Sequence, residues 1–265
     1  MRTHHPFLES SVMRLLARTT VNTLCAVTLL GLAACGTGTS SAPKADSSAK
    51  DAGPFAGMSG PEIANKAITT TKKAKSMTVA VDTTTDEGKV SAHLATSTSG
   101  NCAGTMSIGP AGTMGIRKVG DTVYTQFDEA LLREQSKGEP AEDVDAAVEM
   151  LAGHWMKSAA SDPDSKDMLE LCDLGTLLKG FEANDNAAQR GGETTVDGKR
   201  ALRLTEKDGE DTYTMLVATE GEPYILQLDA KGKDPMTMKL SEFDKPLVVE
   251  APAVKDIVDP EKPNG

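Results

Sequence analysis

Two hydrophobic rhythms alternate along this chain. In "SGPEIANKAITTTKKAK", from Ser59 to Lys75, Ile63, Ala67, Ile68, Thr71 and Ala74 recur at helical spacing. Ser59 and Glu62 fit a capping box, and Pro61 stands in the first turn, where a missing N–H costs little. Lys72, Lys73 and Lys75 close the segment, where the helix dipole favours cations. An amphipathic helix is predicted. From Met77 the period becomes two: Met77, Val79 and Val81, then Val90, Ala92 and Leu94, then Met106 and Ile108, Met114 and Ile116, Val123 and Thr125. Glu87-Gly88, Ser99-Gly100, "GPAG" and Gly120-Asp121 punctuate these runs, so consecutive antiparallel hairpins are predicted.

The helical period then returns. "FDEALLREQ" and "PAEDVDAAVEMLAGHW" carry Val144, Ala147, Val148 and Leu151 on one stripe, and "DPDSKDMLELCDLGTLLKGF" carries Met168, Leu171, Cys172, Leu174, Leu177 and Leu178. Alternation resumes with Leu202 and Leu204, then Tyr213, Met215 and Val217, then Tyr224, Leu226 and Leu228, then Met236, Met238 and Leu240. Asp197-Gly198, Asp208-Gly209 and Glu220-Gly221 mark the turns, and four strands with a polar outer face are predicted. The fold class is therefore α+β: a large curled antiparallel sheet, a half-barrel, with helices packed on its concave face. One domain is expected over residues 58–265, because neither strand block brings enough helix to bury its own face.

The first residues follow neither rhythm. Arg14 and Arg18 precede "TTVNTLCAVTLLGLAA", Thr19 to Ala34, an uncharged and mostly apolar run short of the ~20 residues of a membrane span. A charged start, an apolar middle and small residues at the end describe a secretory signal over 1–34, with translation beginning at Met1 or Met13. Leu32-Ala33-Ala34-Cys35 resembles the bacterial lipobox, which implies a diacylglycerol on Cys35 and cleavage before it. Acyl burial yields ~0.8 kcal/mol per CH₂, so two or three chains anchor durably. The alternative is ordinary cleavage nearby, leaving Cys35 a free thiol. Residues 35–57 then form a lipidated cysteine and a small, polar, flexible tether, "GTGTSSAPKADSSAKDAGPFAG". The expected location is the extracytoplasmic face of the cell membrane.

Composition sharpens this picture. The net charge is -11, and loss of a leader holding Arg2, Arg14, Arg18 and Glu9 leaves the body more acidic still. Such a body seeks neither nucleic acid nor anionic headgroups, so attachment rests on the acyl anchor. Aromatic residues are 3%, and the core depends on aliphatic residues and an unusual 12 Met. Of four cysteines, Cys25 leaves with the signal and Cys35 takes lipid; Cys102 and Cys172 remain. At an oxidising surface these two are expected to pair, closing a loop worth roughly 3–4 kcal/mol. A reactive or metal-binding pair lacks histidine support.

Motifs of catalysis are missing: no Gly-x-Ser-x-Gly, no His-Glu-x-x-His, no phosphate-cradling Gly-x-x-x-x-Gly-Lys. "DPDSKD" fails as a calcium loop, since Lys166 takes a ligand position and no Gly follows; it reads as an acidic helix start. Neither enzyme, metal nor cofactor is expected. Trp155, the single tryptophan, anchors the core or lines a ligand mouth. Met77, Met106, Met114, Met215, Met236 and Met238 line an apolar cavity or fill a dry core.

The helix "PEIANKAITTTKKAKSM", the block "GTMSIGPAGTMGIRKVGDTVY", "GHWMK" before an acidic helix bearing Cys172, and "TTVDGKRALRL" leading into "YTMLVATEGEPYILQL" carry a resemblance. On these the chain resembles an actinobacterial, Streptomyces-like surface lipoprotein of the LppX/LprA/LprG group, related in fold to the LolA and LolB carriers. The likeness covers about residues 58 to 250. It implies a half-barrel whose gap between sheet and helices holds a lipid or other hydrophobic ligand, in a membrane-anchored, non-catalytic monomer. The other reading is a solid-core module that docks a second envelope protein. The Cys102/Cys172 pair resembles Streptomyces-like sequences rather than the mycobacterial carriers.

Overall fold

Asp197 and Gly198 both take positive φ, 48° and 82°, the geometry of the tight hairpin turn that Asp-Gly favours. Across it Val196 pairs with Lys199. Repetition of such hairpins builds one sheet of twelve strands in the computed structural model, which describes residues 54–85, 88–182 and 187–258. The expected signal over 1–34, Cys35 and most of the expected tether lie outside the described residues. The chain divides into Met1–Gly57, of which a turn at 54–57 is described, and Met58–Gly265, treated below.

In chain order the second unit runs α1 (Gly60–Thr71), β1 (Ser76–Thr85), β2 (Gly88–Ser97), β3 (Cys102–Ile108), β4 (Gly112–Val119) and β5 (Thr122–Phe127). The helical insert follows: α2 (Glu129–Gln135), α3 (Ala141–Leu151), the short strand β6 (Trp155–Ala159), α4 (Lys166–Cys172) and α5 (Leu174–Leu177). Then come β7 (Gln189–Val196), β8 (Lys199–Asp208), β9 (Asp211–Ala218), β10 (Ile225–Lys231), β11 (Met236–Ser241) and the two-residue β12 (Ile257–Val258). The spatial order is β12-β6-β5-β4-β3-β2-β1-β11-β10-β9-β8-β7. Two antiparallel meanders thus meet where β1 pairs with β11. The sheet is open and mixed, because β12 runs parallel to β6.

All the helices that can be placed against the sheet pack on one face. The capping box at α1 is formed: the Ser59 N–H donates to Glu62 Oε2 at 2.7 Å, and the Glu62 N–H donates to Ser59 Oγ at 3.4 Å. Ile63, Ala64, Ala67, Ile68 and Thr71 turn inward and are buried. Thr71 Oγ1 accepts from the Ile225 N–H at 3.0 Å, fastening α1 to β10. Cys172 of α4 is disulfide-bonded to Cys102 of β3, 70 residues away. Beside that bond Thr96 Oγ1 donates to the Cys172 carbonyl at 2.6 Å. Cys102, Ile116, Val123 and Cys172 form a buried cluster there.

Three expectations need correction. The second meander holds five strands, because β7 adds an edge that its exposed, Gly-interrupted sequence conceals. Leu226 and Tyr224 do not share a face with Leu228: the ladder slips between Ile225 and Gln227, and a bulge turns Ile225 inward in their place. The outer face is not uniformly polar. Leu226 joins Val196, Ala201, Leu216 and Ala218 in a second core outside the sheet, against Tyr224 and Phe243. Those two rings stack with centroids 4.1 Å apart.

Candidate functional site

Cross-strand partners point to the same face of a sheet. Following the registers from β8 gives Leu204–Met215–Leu228–Met238–Val81–Ala92–Met106–Met114, one row of apolar side chains across eight strands. At ~4.8 Å per strand the row spans roughly 34 Å. Its face is the helix-bearing one. Two residues along each strand lies the row Val79–Leu94–Gly104–Ile116–Thr125, and Val79 also faces Leu240. Val79, Ile116, Thr125 and Leu240 are buried. The methionine row is different. Leu204 is buried, but Met215, Leu228, Met238, Val81, Ala92, Met106 and Met114 are all half-buried. The helices therefore cover one side of the concave face and leave a long apolar step along the other.

Four of the six methionines singled out from sequence, Met106, Met114, Met215 and Met238, fall in this row, whereas Met77 lies outside it and is buried. Met236 lies one row further out, opposite Thr83 and Ala230, and is also half-buried. Val81, Ala92 and Leu228 complete the floor; alternation marked them as inward, but register alone aligns them. Methionine suits such a surface because its flexible, polarizable side chain adapts to varied apolar shapes.

Trp155 stands apart. It pairs with Gln126, which pairs with Gly115, and these face outward. A side chain at Gly115 would press on the indole, and the Arg117 guanidinium lies 4.7 Å from the indole centroid. The structure thus separates Trp155 from the methionines by the thickness of the sheet.

Two clefts flank polar joints instead of the row. One, of about 410 Å³, lies on the outer face among Ala103, Arg117, Val248, Val249 and Glu250, under the C-terminal strap. Arg117 Nη1 donates to the Glu250 carbonyl there at 3.3 Å. The other, of about 500 Å³, lies among Thr70, Lys73, Lys75, Glu222, Tyr224 and Asp244. In it Tyr224 Oη donates to Asp244 Oδ2 at 2.5 Å, and the Lys75 N–H donates to Asp244 Oδ1 at 2.7 Å. Partial burial and then the Asp244 carboxylate push the Tyr224 phenol up to about 12. The Lys75 amide and then Tyr224 hold Asp244 below the ordinary carboxylate range. Among the described residues no cluster of His, Cys, Asp and Glu is arranged to hold a metal. No described helix is long and apolar enough to cross a membrane.

No protein-family model matches the chain, and no curated protein matches it by sequence. Solved structures share its general shape. LprF from Mycobacterium bovis is 14% identical, with a TM-score of 0.47, over 73% of this chain and 97% of that one. The Mycobacterium tuberculosis lipoprotein LppX is 16% identical, with a TM-score of 0.43, over 71% and 97%. MucB is 12% identical, with a TM-score of 0.32, over 74% and 61%. TM-scores below one half describe a loose likeness, and nothing below rests on them.

Proposed function

We propose that this protein is a non-catalytic lipoprotein, anchored through Cys35 at the extracytoplasmic face of the cell membrane, that binds a lipid or other hydrophobic ligand between sheet and helices. One observation carries the ligand: the row from Leu204 to Met114, apolar at every position, lies on the helix-bearing face yet is only half-buried along most of its length. A dry core would close over such a row. Burial of apolar surface stabilises by ~25 cal/mol per Å², so an alkyl chain laid on the step has a driving force without any polar contact. The lipobox at Leu32–Cys35 supports the anchor.

Denaturing extraction of the purified protein, followed by mass spectrometry, is expected to release a hydrophobic molecule. Glu at Met106 or Met238 should abolish its recovery while the protein stays folded. Recovery unaffected by both changes would overturn the site. Replacement of Cys35 by Ser should move the protein from the membrane to the soluble fraction, and globomycin should block its maturation.

A second reading has its own support. The step is open along one side, and the two clefts described lie elsewhere. A solid-core module that docks another envelope protein on this step predicts no extractable ligand and a stable complex with that protein.

A further inference from the structure

The cleft of about 500 Å³ is assembled from three segments, each locked in place. From the end of α1 and the turn after it come Thr70, Lys73 and Lys75. The Lys73 N–H donates to the Thr70 carbonyl at 3.1 Å, and the Lys75 carbonyl accepts from the Thr98 N–H at 2.8 Å. From the β9–β10 turn come Glu222 and Tyr224. Pro223 stands between them with a fixed φ, and the Tyr224 N–H donates to the Glu222 carbonyl at 2.7 Å. From the turn after β11 comes Asp244. Glu242 and Asp244 both hold positive φ there, 54° and 57°, the left-handed region that residues other than glycine enter at a cost. Such strain collects at binding sites. The turn is kept in it by the Asp244 N–H on the Ser76 carbonyl at 2.9 Å and by Ser76 Oγ on the Lys245 carbonyl at 2.6 Å. Phe243, between the two strained residues, stacks on the Tyr224 ring.

The charges of the cleft are divided unevenly. Asp244 is satisfied by the Tyr224 hydroxyl and the Lys75 amide. The Lys73 and Lys75 ammoniums and the Glu222 carboxylate are exposed, and among the described residues they form no hydrogen bond or salt bridge with one another or with any other group. Opposite charges that share a cleft yet stay apart complement a ligand that carries both signs. The chain as a whole has a net charge of -11, a field that opposes a simple anion but not a ligand whose own charges cancel. The volume suits a small molecule.

We propose that this cleft binds a free amino acid or short peptide as its zwitterion. Lys73 and Lys75 hold the carboxylate, Glu222 takes the ammonium, and the Tyr224 ring, clamped by Asp244 and Phe243, forms the wall beside the ligand's side chain. The site shares no residue with the apolar row and stands whether or not that row holds a ligand.

The test titrates the full chain with alanylalanine, its N-acetyl form and its C-terminal amide, read by calorimetry. Alanylalanine should bind in the millimolar range, since the charges face solvent, and more weakly as salt is added. Each blocked form should bind about tenfold more weakly, for loss of one charge-assisted contact. Glu222→Gln should erase the preference over the N-acetyl form and keep the preference over the amide; Lys73→Met/Lys75→Met should do the reverse. These side chains are exposed and make no contact that folding needs, and the three-ligand comparison on the unaltered protein decides by itself. Absence of saturable millimolar binding, or equal affinity for all three ligands, would overturn the site. Binding indifferent to the N-acetyl group and to Glu222→Gln would mark a simple anion site and overturn the zwitterion.

Discussion

Thr71 is fully buried in the last turn of α1, and its hydroxyl accepts the Ile225 N–H that the β10 bulge turns away from the ladder. Thr71→Val keeps the shape and orphans that amide, so it should cost ~1–3 kcal/mol in chemical denaturation; an unchanged midpoint would show that water replaces the hydroxyl. Tyr224 and Asp244 make a pH-dependent pair at the joint between α1 and β11. The phenol is raised, so its contribution is whole below pH ~10 and is lost as pH climbs through about 12. The carboxylate is lowered, so its contribution is whole above the ordinary aspartate value and is lost as pH falls through its depressed one. Tyr224→Phe should therefore flatten the alkaline limb of the melting-temperature profile, and Asp244→Asn the acid limb. Both effects should be small, since the pair faces solvent. The sequence marked Thr71 as inward but gave no sign of its hydrogen bond, and it gave none of Asp244, because each acts on a backbone amide that topology alone brings near.

Among elements, α1 was legible in its cap, its proline and its buried stripe, which are local features written in consecutive residues; its end was not, since the helix stops at Thr71 and Lys73, Ala74 and Lys75 lie beyond it. Ser59→Ala should cost ~1 kcal/mol through loss of the capping box, measurable as a lower melting temperature. The strand runs were also legible, and the pairing of Cys102 with Cys172 followed from compartment and elimination. Removing that bond frees a loop of 70 residues and should cost ~4 kcal/mol in the chain-entropy model. A loss below ~1 kcal/mol would mean that the reduced chain keeps α4 in place by packing alone. Strand β7 and the β10 bulge were not legible. One is an exposed edge with little hydrophobic alternation, and the other breaks the alternation on which strand reading depends. The price of missing one bulge was to place Tyr224 and Leu226 on the wrong face.

On the scale of the molecule, the C-terminal strap closes what the meanders leave open. From Ser241 the chain crosses the outer face, where Pro252 is buried and the Glu250 carbonyl meets Arg117, and then pairs Ile257 and Val258 with Trp155 and Met156. It thereby covers the β6 edge, which would otherwise present unpaired amides to other chains. Truncation after Glu250 should yield a folded but self-associating protein, detectable by sedimentation; a strictly monomeric product would show that the edge is protected by other means.

The order of residues along the chain determined most of the elements, the pairing of Cys102 with Cys172 and the apolar sense of most strands, since these depend on neighbours or on simple counting. It could not settle which methionines stand together. Met106, Met114, Met215 and Met238 come from four strands, and Trp155 from a fifth; register and bulges decide that the first four line one step while the indole faces the other way. Pairing register is a property of the whole sheet, fixed when every strand buries its best face at once, and no single stretch of chain contains it.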